Sequence, residues 1–175
     1  TQRKDVTENC IVPIIAEISF VASIQNMLIG SSRSLVSEQF RVFRSNLEFL
    51  LPKNQNEVLG KTILITSSMS GEGKSFISLN LATVISLSGK KVALLEFDLR
   101  KLNSISIPEL DGGESIGISN YLMGQVDNPS TLYKVLPKYP NLNIFRTGPL
   151  PYNPAELMIG KQMDNFFSYL KSNYD

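Results

Sequence analysis

Apolar residues in the first third of the chain recur at the spacing of one helix face. Five of them follow one another at intervals of 4, 3, 4 and 3 positions: Val36, Phe40, Phe43, Leu47 and Leu50. Because an α-helix brings such residues onto one stripe, the pattern predicts a helix from Leu35 to Leu51. Pro52 ends it, since proline has no N–H and disfavours helical backbone in the residue before it.

Three short apolar runs bounded by turn residues predict β-strands. They are TILIT at 62–66, VALLEF at 92–97 and LNIFR at 142–146. Their continuous apolar character is typical of strands that are buried on both faces of a parallel sheet. Residues 75–88 are apolar nearly all round and Gly89 follows them, which predicts a buried helix ended by glycine. Strand, helix and strand in this order predict a right-handed βαβ unit.

The second half of the chain continues the alternation of helices and strands. A short helix is predicted over residues 116–123. A last helix is predicted over 155–170 from four apolar residues spaced 4, 3 and 4 positions apart: Ile159, Met163, Phe166 and Leu170. The alternation indicates one α/β domain, with a mostly parallel sheet covered by helices on both faces. We divide its 175 residues into a lead-in segment 1–33, a helical segment 34–52 and a core 61–175.

The composition excludes several classes of function. The chain has 17 Lys and Arg residues against 16 Asp and Glu residues, a formal charge of +1, so no nucleic-acid-binding surface is expected. It has no histidine, which excludes Ser-His-Asp hydrolysis and histidine-ligated zinc. Cys10 is the only cysteine, as expected of a cytoplasmic protein without disulfides. The apolar stretch 11–30 contains Pro13 and several polar residues, so no transmembrane segment is predicted.

The residues after the predicted strand 62–66 have the composition of a phosphate-binding loop. The sequence SSMSGEGKS at 67–75 leads directly into the predicted helix. Its glycines let backbone N–H groups face a polyphosphate, its lysine reaches the β and γ phosphates, and the next hydroxyl can ligate Mg²⁺. Ser68 replaces the first glycine of the common pattern, and the alternative is an ordinary glycine-rich turn. The residues predicted to bind ATP or ADP are Ser70, Gly71, Glu72, Gly73, Lys74 and Ser75.

Two acidic residues follow the second predicted strand. Ligands of open parallel sheets bind beyond the carboxyl ends of the strands, so Glu96 and Asp98 are expected to face the phosphates. Asp98 can hold Mg²⁺ through its water shell or accept a proton from an attacking hydroxyl. The alternative is a pair of solvated charges at a strand end. We predict that Lys74, Glu96 and Asp98 serve catalysis and that Ser75 and Asp98 serve the metal.

Four segments, in this order, resemble one family: SSMSGEGKS, SLNLATVISLSGKKVALLEFDLRK, GISNYLMG and GPLPYNPAEL. They are similar to the P-loop NTPase-like domain of the bacterial tyrosine kinases that regulate capsule and exopolysaccharide synthesis, and the similarity extends from about Cys10 to Asp175. The resemblance implies Mg-ATP-dependent tyrosine autophosphorylation in trans, within a ring of subunits at the cytoplasmic side of the bacterial inner membrane. It implies a membrane-embedded polysaccharide co-polymerase, either as a part of the same protein or as a partner protein. It also implies subunit contacts through Glu38, Arg41 and Arg44, although their spacing alone equally fits ion pairs within one helix.

The chain departs from the family pattern at several places. Glu96 stands where the family usually has aspartate, and Phe76 stands where a hydroxyl residue is usual. In the family a third acidic motif and a tyrosine-rich tail follow the position of Asp175. Without them we expect this chain alone to self-associate and not to phosphorylate tyrosine.

Two other functions remain open on the sequence. One is a non-catalytic, nucleotide-binding assembly module of the polysaccharide machinery. The other is a partition- or division-site ATPase of the same fold, a class that has a second lysine early in the loop. Met69 occupies that position here, which counts against the second alternative.

Overall fold

The computed structural model describes residues 11–21, 34–51, 60–69, 71–100, 107, 110 and 116–175. Five helices and three strands lie within these ranges, and a single 3₁₀ turn precedes the second strand. In chain order they are α1 (Leu35–Leu50), α2 (Lys74–Ser86), β1 (Val92–Leu95), α3 (Ile118–Leu122), β2 (Tyr133–Leu136), β3 (Tyr139–Phe145), α4 (Pro154–Met158) and α5 (Lys161–Asn173).

The described strands form one sheet in the order β1-β3-β2. β1 runs parallel to β3, with Leu94 opposite Ile144, and these two strands correspond to the apolar runs at 92–97 and 142–146. β2 and β3 form an antiparallel hairpin with an irregularity between Val135 and Leu136. The sequence analysis did not predict β2. Its four residues are too few for an alternation to be recognised.

Helices cover both faces of the sheet, as predicted. On one face α2 packs against the strands through a cluster that contains Leu79, Leu94 and Ile144. On the other face α3 and α5 pack through a second cluster, in which the rings of Phe145 and Phe166 lie 5.8 Å apart. Successive strand residues point to opposite faces, so β1 and β3 contribute to both clusters. The predicted α/β architecture is therefore confirmed.

The helix α1 packs on the outer side of α2. Phe40 of α1 forms a buried cluster with Leu81 and Val84 of α2. α2 therefore contacts the sheet on one side and α1 on the other, which is why its sequence is apolar nearly all round. Ser34 caps α1 at its N-terminus, where its side chain accepts a hydrogen bond from the Ser37 N–H at 3.2 Å.

The predicted lead-in segment is described only over 11–21, where it has no regular secondary structure. It runs along α1: the Ser19 N–H donates to Gln39 Oε1 at 2.9 Å, and Asn46 Nδ2 donates to the Ile15 carbonyl at 2.7 Å. No helix within the described ranges is both long enough and apolar enough to cross a membrane.

Residues 62–66 do not form the predicted strand. They join no ladder with any described strand, and the Leu64 side chain is 87% exposed. Among the described residues, backbone hydrogen bonds hold the two residues that precede this segment: the Gly60 N–H donates to the Lys171 carbonyl and the Lys61 N–H donates to the Asp175 carbonyl. A strand requires a neighbour that pairs with its N–H and C=O groups, and apolar composition does not supply one. The βαβ unit predicted over 62–97 is consequently not closed by a second strand among the described residues.

The predicted last helix, 155–170, is two helices. α4 ends at Met158 and α5 begins at Lys161, with Gly160 in an extended conformation as the N-cap of α5. Ile159 is exposed, whereas Met163, Phe166 and Leu170 form the buried stripe of α5. Three of the four residues in the predicted stripe are therefore in the core, and the prediction was wrong about the continuity of the helix.

Candidate nucleotide-binding site

The glycines of the predicted phosphate loop adopt the left-handed backbone that such a loop needs. Gly71 has φ +88° and Gly73 has φ +92°, a region that side chains with a Cβ rarely enter. Gly73 is also the N-cap of α2, a helix of 13 residues. The first N–H groups of a helix have no partner within it and carry partial positive charge, so this terminus favours an anion.

Contacts with two residues of the loop position the side chain of Lys74. Its ammonium Nζ donates to Ser67 Oγ at 2.7 Å and lies 3.4 Å from the Met69 carbonyl oxygen. The side chain is half-buried, which lowers the dielectric around its charge. Lys74 is therefore positioned to meet a polyphosphate that enters between the loop and the start of α2.

The carboxylate of Glu72 is hydrogen-bonded to residues at the start of the loop. It accepts hydrogen bonds from the Met69 N–H at 3.1 Å and from Ser68 Oγ at 3.1 and 3.3 Å. The Met69 N–H is the main cause that lowers the pKa of Glu72 below its ordinary value. Ser68, the residue that departs from the common loop pattern, thus has a partner of its own. Ser70, which we predicted to bind nucleotide, lies outside the described residues.

Four of the predicted site residues border one cleft of about 820 Å³, whereas Gly71, Glu72 and Gly73 are not among the residues that line it. Lys74 and Ser75 border it from α2, and Glu96 and Asp98 border it from the segment after β1. The hydroxyl-bearing residue Ser75 and the carboxylate-bearing residue Asp98 are both exposed to solvent. Oxygen ligands on exposed residues that share a cleft fit a hydrated Mg²⁺, which keeps several of its waters.

The acidic segment after β1 is fixed by the neighbouring strand. The Glu96 N–H donates to the Phe145 carbonyl at 2.9 Å, and Thr147 Oγ1 donates to the Glu96 carbonyl at 2.6 Å. Asp98 Oδ1 accepts from the Arg100 N–H at 3.0 Å. The sequence analysis missed Thr147. No local signal marks it, because its contact with Glu96 spans 51 positions and depends on the pairing of β1 with β3.

The three residues predicted to form subunit contacts are in α1, and one of them, Arg44, also borders the cleft that contains Lys74. Arg41 is paired with Glu38 one turn earlier. Arg44 lies 3.8 Å from Glu48 and donates from Nη1 to the Val84 carbonyl at 3.0 Å. Val84 is in the last turn of α2, where carbonyls lack partners within the helix. Arg44 therefore has an intramolecular role, joining α1 to the C-terminal end of α2.

Comparison with known proteins agrees with this site. Residues 63–154 match the family model described as the CobQ/CobB/MinD/ParA nucleotide binding domain. The matched range contains the phosphate loop and both acidic residues of the cleft. Nucleotide binding at this domain follows from the family.

Similar curated proteins are tyrosine kinases. The chain is 33% identical over 143 residues to the putative tyrosine-protein kinase CapB of Staphylococcus aureus, which covers 82% of this chain and 59% of CapB. It is 35% identical over 143 residues to the tyrosine-protein kinase YwqD of Bacillus subtilis, covering 82% of this chain and 57% of YwqD. The chain thus spans less than two thirds of the length of these relatives.

Solved structures show the same fold. The chimerical protein CapA2B2 superposes with a TM-score of 0.81 at 27% identity, over 99% of this chain and 72% of that one. The kinase domain of the Escherichia coli tyrosine kinase ETK also superposes with a TM-score of 0.81, at 22% identity, over 99% of this chain and 69% of that one. The resemblance to bacterial tyrosine kinases is confirmed, and the chain belongs to the CobQ/CobB/MinD/ParA nucleotide-binding family.

Proposed function

We propose that this chain is the nucleotide-binding part of a bacterial protein-tyrosine kinase of capsule or exopolysaccharide synthesis. One observation supports this most directly: the last two residues of the phosphate loop, Lys74 and Ser75, border a single cleft with the two acidic residues that follow the next strand. The similarity to CapB and YwqD, which are named as a putative tyrosine-protein kinase and a tyrosine-protein kinase, also supports it. The reaction transfers the γ-phosphoryl group of ATP to a tyrosine hydroxyl.

Each residue of the cleft has a role in this proposal. The N–H groups from Gly71 to Ser75 bind the phosphates, and Lys74 neutralises charge on the β and γ phosphates. Asp98 accepts the proton of the attacking hydroxyl. Glu96 is less exposed than Asp98 and contributes negative charge beside the metal.

The metal in this proposal is Mg²⁺, held by the Ser75 hydroxyl and, through its water shell, by Asp98. Held there, the metal would supply positive charge that neutralises the negative charge of the transferring phosphoryl group. Glu72 does not take part in this, because its carboxylate is engaged by the loop itself.

The setting of the reaction is also part of the proposal. We place the domain at the cytoplasmic side of the inner membrane, beside a membrane-embedded polysaccharide co-polymerase, in a ring of identical subunits. The support is the resemblance to the bacterial tyrosine kinases of capsule and exopolysaccharide synthesis. The formal charge of +1 does not favour nucleic acid as an alternative partner. Glu38 and Arg41, which are at least partly exposed on α1, are the residues proposed to reach a neighbouring subunit.

The proposal can be tested with a chimera of YwqD. In this chimera, the present chain replaces the region of YwqD that it matches. With Mg-ATP we expect phosphotyrosine on the chimera. Asp98→Asn should lower its formation by at least about 100-fold, the usual contribution of a positioned base, and Lys74→Met should lower it further. Asp164→Asn, on the exposed face of α5, is the matched control and should leave phosphotyrosine unchanged.

Three results are informative. Undiminished phosphotyrosine in the Asp98→Asn chimera would refute the assignment of the base. ATP binding with no phosphotyrosine in the unsubstituted chimera would favour a non-catalytic assembly module. ATP hydrolysis without phosphotyrosine would favour an ATPase of the partition class.

A further inference from the structure

The six tyrosines of the chain all lie within the described residues, and they differ sharply in exposure. Tyr121 and Tyr139 are buried in the two clusters that cover the faces of the sheet, and Tyr133, Tyr169 and Tyr174 are half-buried. Tyr152 has an exposed fraction of 108%, as high as a side chain free of all neighbours. A tyrosine that receives a phosphoryl group must enter the active site of a kinase. Of the six tyrosines, Tyr152 is therefore the one whose side chain is fully exposed and can enter such a site without a change in the fold.

The half-buried tyrosines are engaged in contacts that modification would break. The Tyr174 hydroxyl accepts a hydrogen bond from Asn143 Nδ2 at 2.7 Å, and its ring lies 6.0 Å from that of Phe145. The rings of Tyr169 and Tyr174 lie 6.5 Å apart, and the ring of Tyr133 packs 5.3 Å from Phe145. Burial raises the pKa of Tyr174. A phosphate would bring nearly two negative charges into this aromatic cluster, which disfavours modification there.

The backbone on both sides of Tyr152 is held in place. Pro151 precedes it, and Asn153 and Pro154 begin α4 directly after it. The segment that contains Tyr152 follows β3. It begins at Thr147, whose hydroxyl donates a hydrogen bond to the Glu96 carbonyl. Proline fixes one backbone angle, so a segment with two of them loses little conformational entropy when it docks. Tyr152 is thus an exposed ring on a segment that is anchored at both ends.

Tyr152 does not line the cleft of its own molecule. Thr147 and Met158, on either side of it in sequence, both border the cleft that contains Lys74 and Asp98, whereas Tyr152 is fully exposed between them. The ring is therefore available to another molecule. From these observations we infer that Tyr152 is the phosphate-accepting tyrosine of this chain, and that it is presented to the active site of a second kinase molecule.

This inference rests on the proposed function for the source of the phosphoryl group. The Tyr152 hydroxyl oxygen forms a bond to the γ-phosphorus of ATP, and the bond from that phosphorus to the β–γ bridging oxygen breaks. ADP leaves with the bridging oxygen and its electron pair. The hydroxyl proton passes to a carboxylate of the second molecule, the equivalent of Asp98, and then to water. The products are ADP, phosphotyrosine and one proton.

Two reactions test the inference separately from the proposed function. In the first, the unmodified chain is incubated with Mg-ATP alone. In the second, the Lys74→Met chain is incubated with Mg-ATP and the active kinase domain of ETK, with a poly(Glu,Tyr) peptide in the same tube as a positive control. Mass spectrometry then measures the phosphorylated fraction of each of the six tyrosines. We expect Tyr152 in the second reaction to be phosphorylated at least 10-fold more than any other tyrosine.

Two variants provide the comparison. Tyr152→Phe should lower total incorporation at least 5-fold, and Tyr169→Phe should leave it unchanged. Modification of Tyr152 by ETK while the chain alone is silent would support the acceptor and count against the chain's own activity. Predominant modification of another tyrosine in either reaction would overturn the acceptor assignment. So would an unmodified Tyr152 in a tube where the control peptide is labelled.

Discussion

At the scale of single residues, the carboxylate of Glu72 is the group whose protonation changes the phosphate loop. The Met69 N–H lowers its pKa, so the charged form binds that N–H more strongly than the neutral form does. The bond is therefore fully present above the ordinary pKa of 4.5 and is lost as the pH falls through the lowered value. We expect the Met69 amide resonance in ¹⁵N NMR to titrate with a midpoint below 4.5.

The variant Glu72→Gln is the control for this titration. It keeps the size of the side chain and removes its charge, so the acid transition of the Met69 amide should disappear. A Met69 titration that persists in Glu72→Gln, or a midpoint above the ordinary pKa, would contradict the contact.

At the scale of elements, α1 and α2 are joined by a side chain as well as by the Phe40 cluster. Arg44 donates to the Val84 carbonyl in the last turn of α2, where a cation also complements the partial negative charge of the helix end. Arg44→Gln should lower the free energy of unfolding by about 1–2 kcal/mol. Arg41→Gln removes the exposed pair with Glu38 and should change it by no more than about 0.5 kcal/mol.

Urea denaturation of both variants measures this difference, and sedimentation of the YwqD chimera tests the subunit contact separately. If Arg44 served only contacts between subunits, the unfolding free energies of Arg41→Gln and Arg44→Gln would both equal that of the unmodified chain. Only the sedimentation of the chimera would then change. Equal losses of stability in Arg41→Gln and Arg44→Gln would contradict the bond to Val84.

Sequence patterns predicted the elements whose cause is local. α1 follows from one apolar stripe, α2 from a run followed by Gly89, and the loop from the spacing of Gly71, Gly73 and Lys74. The failures have a non-local cause. Residues 62–66 have the composition of a buried strand, but only a neighbouring strand could supply the backbone partners that they need. Thr147 likewise acquires its role through the pairing of distant strands.

At the scale of the whole molecule, residues 62–66 are a mostly apolar segment without a sheet partner among the described residues. An unpaired extended segment is a template for pairing with another chain. We therefore expect concentration-dependent self-association of this chain in light scattering. Leu64→Lys should reduce it, because a charge on such a segment opposes pairing, while Ile159→Lys, at an equally exposed position elsewhere, should not. Association that is unaffected by Leu64→Lys, or a monomer at all concentrations, would contradict this account.

The central claim is that the cleft beside α2 binds the phosphates of ATP through Lys74. Calorimetric titration of Mg-ATP into the chain and into Lys74→Met tests it most directly, with Lys161→Met on α5 as the charge-matched control. The account predicts that Lys74→Met binds at least about 10-fold more weakly, since a charge-assisted contact to phosphate is lost, and that Lys161→Met binds as the unmodified chain does. Equal affinity of the unmodified chain and Lys74→Met would contradict the claim.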